Sequence, residues 1–449
     1  MERGQRRIGM EQEFFLVDET GVPSNRADEF LQACHQRGEK EGVHPRYFVG
    51  EWVKGMIEVN TPPAHTPTEL ARSYLKHLKL AIAVGKTMGL RLYPLASYPL
   101  HLIPAIRDKL NYHLQVRTVG YERFLNAGKC TGTHLHLEVA PNTIDPRVGV
   151  SYESTAAARA ELVNIYNLAT ALDSAAIALS RSCPYYEGKA FGLAYHIVRY
   201  RGSDKFGWEG VYTHLPSVGG LMPYADSVER LVELHFQRYY AWMRAMDEAR
   251  IDRDLFGKSG GSLLKAGWNP VRLNNLGTVE MRAIDSNYPQ AILATIALIY
   301  HVASRVQRDR IAVQPKPGVC KFELNGDRLS VPPFEYMNGE LLYAAVTEGV
   351  NSAMVKAYLD SILEFAADSR DPQANELEAL LLFDLGQDRT TEAEILAEFP
   401  PVSDRLSREE GLRLVRFACD RLEEQVDSLS QQAPLQSLPE VPLSDSTPA

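Results

Sequence analysis

Apolar side chains recur at alternate positions in some stretches of this chain and at every third or fourth position in others. Residues 8–17 (Ile-Gly-Met-Glu-Gln-Glu-Phe-Phe-Leu-Val) and 53–59 (Val-Lys-Gly-Met-Ile-Glu-Val) read as strands. A helix follows, with Thr66 as N-cap, Pro67 in the first turn and Glu69 closing a capping box. Leu70, Tyr74, Leu75, Leu78 and Ile82 form its apolar stripe, and Gly89 ends it before a strand at 90–97. Residues 131–139 alternate, with Thr133, Leu135, Leu137 and Val139 on one face. Helices are expected over about 154–180 and 227–249, and a strand at 277–285 leads into a helix from Pro289 to about Arg308. Residues 321–331 read as a hairpin turning at Asn325-Gly326, a pair that type I′ turns prefer. Only helices are expected from Asn338 onward, one of them opened by Ser407 with Glu410 three residues later.

These elements predict an α+β fold. Polar residues mark one face of the strands, whereas a parallel sheet covered on both sides would show continuous apolar runs, so a curved, mainly antiparallel sheet is expected. Residues 1–310 form the catalytic body in this reading, 311–425 a hairpin and helical region, and 426–449 a disordered tail rich in Ser, Pro and Gln.

Composition changes this picture little. With 449 residues, 45% hydrophobic and 23% charged, the chain has enough apolar side chains for a large core. A net charge of −9 without a dense Lys/Arg run speaks against a nucleic-acid partner. Cys34, Cys130, Cys183, Cys320 and Cys419 lack a CxxC spacing and read as reduced thiols of a cytoplasmic protein. No signal peptide and no apolar run of membrane-spanning length is expected, hence no membrane association; a homo-oligomer is left open.

The chemistry gathers on the strands. Glu11 and Glu13 share one face, as do Glu280 and Arg282, and Glu51 and Glu58 bracket a third apolar segment. Burying such charges is costly unless they are paired or bind metal, so converging acidic strands point to a divalent-cation site that holds a nucleotide. Each Glu taken alone also reads as a solvated outer-face residue. His134, His136 and Glu138 share a face that is a metal or phosphate site, a plain polar face, or the His-x-His of a zinc-type hydrolase. The hydrolase reading leaves Glu11, Glu13 and Glu58 without a role. Arg282, with Arg272 ahead of it, suits a phosphoryl group, while Arg199 and Arg201 are candidates for a substrate carboxylate. The Gly257-Lys-Ser259 loop fails as a Walker A motif because Asp252 stands where the first Gly is required, and it reads as a flexible cover. Cys130 and Cys183 have no evident base nearby and read as structural thiols.

Four stretches in this order resemble the glutamate–cysteine ligase superfamily, in particular its carboxylate–amine ligase branch. They are Gly9-Met-Glu-Gln-Glu-Phe-Phe-Leu-Val-Asp18, Met56-Ile-Glu-Val-Asn-Thr-Pro-Pro63, Gly132-Thr-His-Leu-His136, and Arg272 followed by Gly277-Thr-Val-Glu-Met-Arg282. The resemblance spans roughly residues 8–300. It implies a glutamine-synthetase-like fold whose curved sheet forms a funnel for ATP with Mg²⁺, or Mn²⁺ as the alternative ion. By resemblance, Glu11, His134 and Glu280 hold the metal between the ATP phosphates, and Glu13, Glu51 and Glu58 the metals nearer the substrates. His136, Arg272 and Arg282 lie on the nucleotide side, Glu58 and Arg282 take catalytic roles, and Arg199 is the candidate for the substrate α-carboxylate, although its flanking sequence matches the family pattern poorly. The implied reaction is that of glutamate–cysteine ligase, a step of glutathione biosynthesis. Glutamate is activated as γ-glutamyl phosphate and captured by cysteine. The alternatives are a γ-glutamyl ligase using another amine, the His134/His136 hydrolase, and a non-catalytic nucleotide-binding relative.

Overall fold

The computed structural model describes residues 6–190, 192–194, 196–367, 390–401 and 405–432. Its centre is a seven-stranded sheet. In chain order the strands are β1 (Ile8–Asp18), β2 (Phe48–Gly50), β3 (Met56–Asn60), β4 (Leu90–Tyr93), β5 (Gly132–Glu138), β6 (Val271–Asn274) and β7 (Thr278–Asp285). Across the sheet the order is β6-β7-β5-β1-β3-β2, with β4 also paired to β1, and every pair is antiparallel. The expected α+β class and antiparallel sheet are therefore observed.

Strand alternation sorts the two faces. Met10, Phe14, Ile57, Val59, Leu135, Leu137, Val279 and Met281 are all buried. They lie on the side covered by helices α2 (Pro67–Met88), α4 (Ala156–Ser180) and α6 (Pro289–Asp309). Each such large side chain contributes about 1.5–3 kcal/mol by leaving water. Gln12, opposite Thr133, is a fully buried polar residue on this face. Its amide donates to the Asn287 carbonyl at 2.7 Å, and its oxygen accepts from the Tyr74 hydroxyl, so neither group is stranded. The opposite face carries the carboxylates.

Local signals hold where capping dictates the ends. Thr66 accepts from the Glu69 N–H at 3.1 Å, and Gly89 closes α2 in the left-handed conformation. Ser407 and Glu410 form the reciprocal box at the start of the last helix. Other boundaries move. The strand expected at 90–97 stops at Tyr93, because Pro94 has no N–H for the ladder. The strand expected from residue 53 begins at Met56. In the hairpin Asn325 pairs with Arg328, so the turn residues are Gly326-Asp327 rather than Asn325-Gly326. Only Gly326 has positive φ (62°), as a type II′ turn requires and a type I′ turn does not.

Two further expectations are corrected. Helix α4, 25 residues long, has the length and apolarity of a membrane span, against the expectation that no segment does. The sheet and helix α6 enclose it, with 83% of its apolar window buried. Secondly, the last helix runs from Arg408 to Gln432, past the expected start of the tail at 426. Val426 and Leu429 are buried, and the helix packs on α2, α6 and β4. The remainder of that tail, residues 433–449, lies outside the described residues.

A buried ion pair also fastens the later part of the chain to the body. Arg181, at the end of α4, meets both carboxylate oxygens of Glu392 at 2.7 Å. Removing one partner leaves a buried charge uncompensated. Glu392→Ala is expected to lower unfolding free energy by about 3–5 kcal/mol, read from the urea midpoint. A loss below about 1 kcal/mol would show that this pair does not fasten the segment.

Candidate active site

Register places the chemistry. On the open face, β1 sets Glu11 opposite His134 of β5 and Asn60 of β3, and Glu13 opposite Glu58. Strand β7 sets Glu280 opposite His136, and β6 sets Arg272 opposite Glu280. Side chains from residues 11 to 282 thus meet because directly opposed residues on antiparallel strands are about 5 Å apart.

Glu11 is the hinge of the cluster. Its Oε2 lies 3.1 Å from His134 Nδ1 and its Oε1 3.4 Å from His136 Nε2. His134 Nε2 is 3.8 Å from Glu13, whose other oxygen accepts from the Gly132 N–H at 2.8 Å. Glu280 is fully buried. Arg272 grips it bidentately at 2.8 and 3.1 Å, and Arg282 reaches it at 2.5 Å. A bulge in β7 between Met281 and Ile284 interrupts the ladder beside Arg282, which also approaches His134 Nδ1 to 3.3 Å.

Potential ligand atoms form three adjoining groups, each with its members within 4.8 Å of one another: Glu11/His136/Glu280, Glu11/Glu58/His134, and Glu13/Glu51/Glu58. The resemblance places His134 with Glu11 and Glu280; in these groups it is His136 that stands with them, because the β5–β7 register puts His136 directly opposite Glu280, and His134 falls with Glu11 and Glu58. His136 Nδ1 lies 2.9 Å from the Thr278 hydroxyl, while its buried Nε2 faces Glu11 at 3.4 Å. An imidazole nitrogen so presented between two carboxylates fits a cation. The two histidines fall into different groups that share Glu11.

The electrostatics agree with cation binding. Burial pushes Glu13 up to about 8, helped by the charge of Glu51. Burial likewise raises Glu58, reinforced by Glu11, Glu51 and Glu13. Burial opposes ionisation of Glu11 too, but hydrogen bonds from His134 and His136 outweigh it and lower the carboxyl. Arg272 and Arg282 do the same for buried Glu280. One end of the row is therefore neutralised by protein cations, and the other is frustrated until a positive charge arrives.

Glu11, Glu13, Glu51, Glu58 and His134 of these groups line a cavity of about 160 Å³, while His136 and Glu280 lie behind its lining residues. Arg282, His196, Tyr200, Trp52, Tyr112 and Phe124 complete the lining. Arg199 is not among the lining residues. Its guanidinium lies 4.6 Å from the Tyr186 ring centroid and donates to the Glu209 carbonyl. Arg201 is buried against Asp173 at 2.8 Å, a structural pair. The 257–262 loop borders a separate cavity beside helix Val228–Glu248 rather than covering this one. Cys130 is buried as expected and yet lines the site, with its thiol pushed up by burial. All five cysteines are free. Sequence reasoning missed His196, Tyr200, Tyr112 and Phe124, which lack a periodic partner. Trp52 could have been found from its place directly after Glu51.

The glutamate-cysteine ligase family 2 (GCS2) model matches residues 7–317. A glutamate–cysteine ligase of Halobacterium salinarum is 25% identical over 322 residues, covering 69% of this chain and 72% of that protein. Among solved structures, a bifunctional glutathione synthetase from Pasteurella multocida aligns with a TM-score of 0.55 at 15% identity, covering 94% of this chain and 53% of that one. The chain thus spans about half the length of that protein. A glutamate–cysteine ligase from Francisella tularensis in complex with AMP aligns with a TM-score of 0.50 at 10% identity, covering 98% and 96%. These likenesses show a shared glutamine-synthetase-like ligase fold, and the family match carries the assignment: the chain belongs to glutamate-cysteine ligase family 2.

Proposed function

We propose that this enzyme forms a C–N bond by joining the γ-carboxylate of glutamate to the amine of cysteine at the expense of ATP, through γ-glutamyl phosphate. The observation that carries this reading is the row of three ligand groups beside Arg282, two of carboxylates with an imidazole and one of carboxylates alone. Glu11, His136 and Glu280 would hold one divalent ion, Glu11, Glu58 and His134 a second, and Glu13, Glu51 and Glu58 a third. Bound Mg²⁺ or Mn²⁺ supplies charge neutralisation to the phosphates and the attacking carboxylate.

The remaining work falls to the chain itself. Glu280 holds Arg282 charged and aimed into the cavity, where its guanidinium faces the phosphoryl oxygens. Arg272 grips Glu280 from the nucleotide side and fixes its orientation. Glu58, shared by two groups, couples the nucleotide end to the substrate end. Trp52, Phe124 and Tyr112 keep water from the acyl phosphate, which hydrolyses readily. No nucleophilic side chain is needed, since positioning and charge neutralisation suffice for phosphoryl transfer.

The direct test is ADP release on a panel of amino acids and amines, with the product weighed by mass spectrometry. ADP formed only with glutamate and an amine present supports the ligase, and the mass identifies the acceptor. ADP formed without either overturns it. Arg282→Lys keeps the charge but loses the planar fork, and kcat is expected to fall about 10²–10³-fold. Chelation with EDTA should abolish turnover, and Mg²⁺ or Mn²⁺ should restore it.

A pH effect follows from Glu13. Its folded carboxyl holds a proton up to about pH 8, whereas the unfolded one releases it near the ordinary 4.5. The folded state thus binds more protons between those values, and metal-free stability falls as pH rises through that window. Thermal melts of metal-free Glu13→Gln should lose less stability than the wild type between pH 5 and pH 8. Parallel curves would remove Glu13 from the frustrated end of the row.

A further inference from the structure

The lining of the cavity is not uniform. Glu51 and Glu58 act on Tyr112, and Trp52 packs against Phe124, so this part offers carboxylates and aromatic rings, which suit an ammonium. Around Arg282 and His134 the lining offers hydrogen-bond donors, with Glu11 and Glu13 beside them. Beyond Arg282 and His134, which the carboxylates already engage, that part contributes His196 and Tyr200.

His196 is built into this place. It is 6% exposed and lines the cavity, and its buried Nδ1 has no hydrogen-bond partner among the described residues. Its ring stacks on Tyr200, with centroids 5.5 Å apart and planes 26° apart, because the π-helical turn Ile197–Arg201 brings the two residues onto one side. Space for the ring exists only because residue 132 is glycine: a Cβ there would lie 2.9 Å from both Cε1 and Nε2 of His196. The same Gly132 N–H anchors Glu13. A buried imidazole nitrogen without a partner costs free energy that a bound ligand can return. Burial, with His134 and Arg282 nearby, holds His196 neutral, so it serves as a hydrogen-bonding group and not as a cation or a general base.

We propose that His196, backed by Tyr200, is the subsite for a carboxylate of the acyl donor, with the acceptor amine on the Glu51–Trp52 side. This rests on the ligase reading above. It replaces Arg199, three residues further along the same segment, whose guanidinium is turned onto Tyr186.

The test uses the full-length protein and His196→Phe, which keeps the stacking ring but removes both nitrogens, with His196→Gln restoring a donor. Gly132→Ala is a second variant, in which the added Cβ displaces the imidazole. Circular dichroism and thermal melts report folding. Glutamate binding is measured calorimetrically with Mg²⁺ and a non-hydrolysable ATP analogue, alongside turnover. His196→Phe and Gly132→Ala are expected to raise the glutamate Kd and KM at least about tenfold, with the KM for ATP and for the amine within about twofold. His196→Gln should recover part of the loss. If the wild type turns over and His196→Phe binds glutamate equally well, the subsite falls and the ligase reading stands. If the wild type binds glutamate without turnover and His196→Phe does not bind it, the subsite stands and the ligase reading falls. Failure of the wild type to bind glutamate overturns both.

Discussion

The structure is organised around the problem of holding several carboxylates together on one face of a sheet. Glu11, Glu13, Glu51, Glu58 and Glu280 bear like charges in a partly desolvated space, where Coulomb repulsion is weakly screened. The protein resolves part of this repulsion internally. Glu280 has Arg272 and Arg282, and Glu11 has two imidazoles. For Glu13 and Glu58 the compensation is weaker: the Gly132 N–H and Arg282 favour the Glu13 charge, yet burial drives both carboxyls toward their neutral forms. A site arranged in this way stores a preference for multivalent cations. Stability and cation affinity are therefore coupled through the same few side chains.

The covered face of the sheet makes this tolerable. Apolar burial beneath α2, α4 and α6 supplies the favourable free energy that lets the other face be assembled for chemistry. Gln12, the residue between Glu11 and Glu13, joins the two faces. Its bonds to Tyr74 and Asn287 fix the centre of β1 and hence the directions of both neighbouring carboxylates. The later helices join the same body through Arg181–Glu392 and through Arg91, which meets Asp420 and Glu423.

Much of the fold was legible because it depends on short-range rules. Alternation at 131–139, the capping box at Thr66–Glu69 and Pro289 at a helix start all act within one turn or one strand. The errors arose where a boundary depended on something non-local. The last helix continues past residue 425 because Val426 and Leu429 find an apolar surface on other elements. The hairpin turn shifts by one residue because pairing of the flanking strands sets it, not the Asn-Gly pair alone.

The candidate site divides in the same way. Spacing two apart on a strand determined that Glu11 and Glu13, His134 and His136, and Glu280 and Arg282 would each share a face, since that follows from backbone geometry alone. Which imidazole joins which carboxylate was decided only by the register between β5 and β7, which put His136 across from Glu280. Arg199 and His196 lie in one segment, and nothing in their local sequence says which enters the cavity. A π-helical turn, the ring of Tyr200 and the missing side chain of Gly132 decide it, and these meet only when distant parts of the chain pack together.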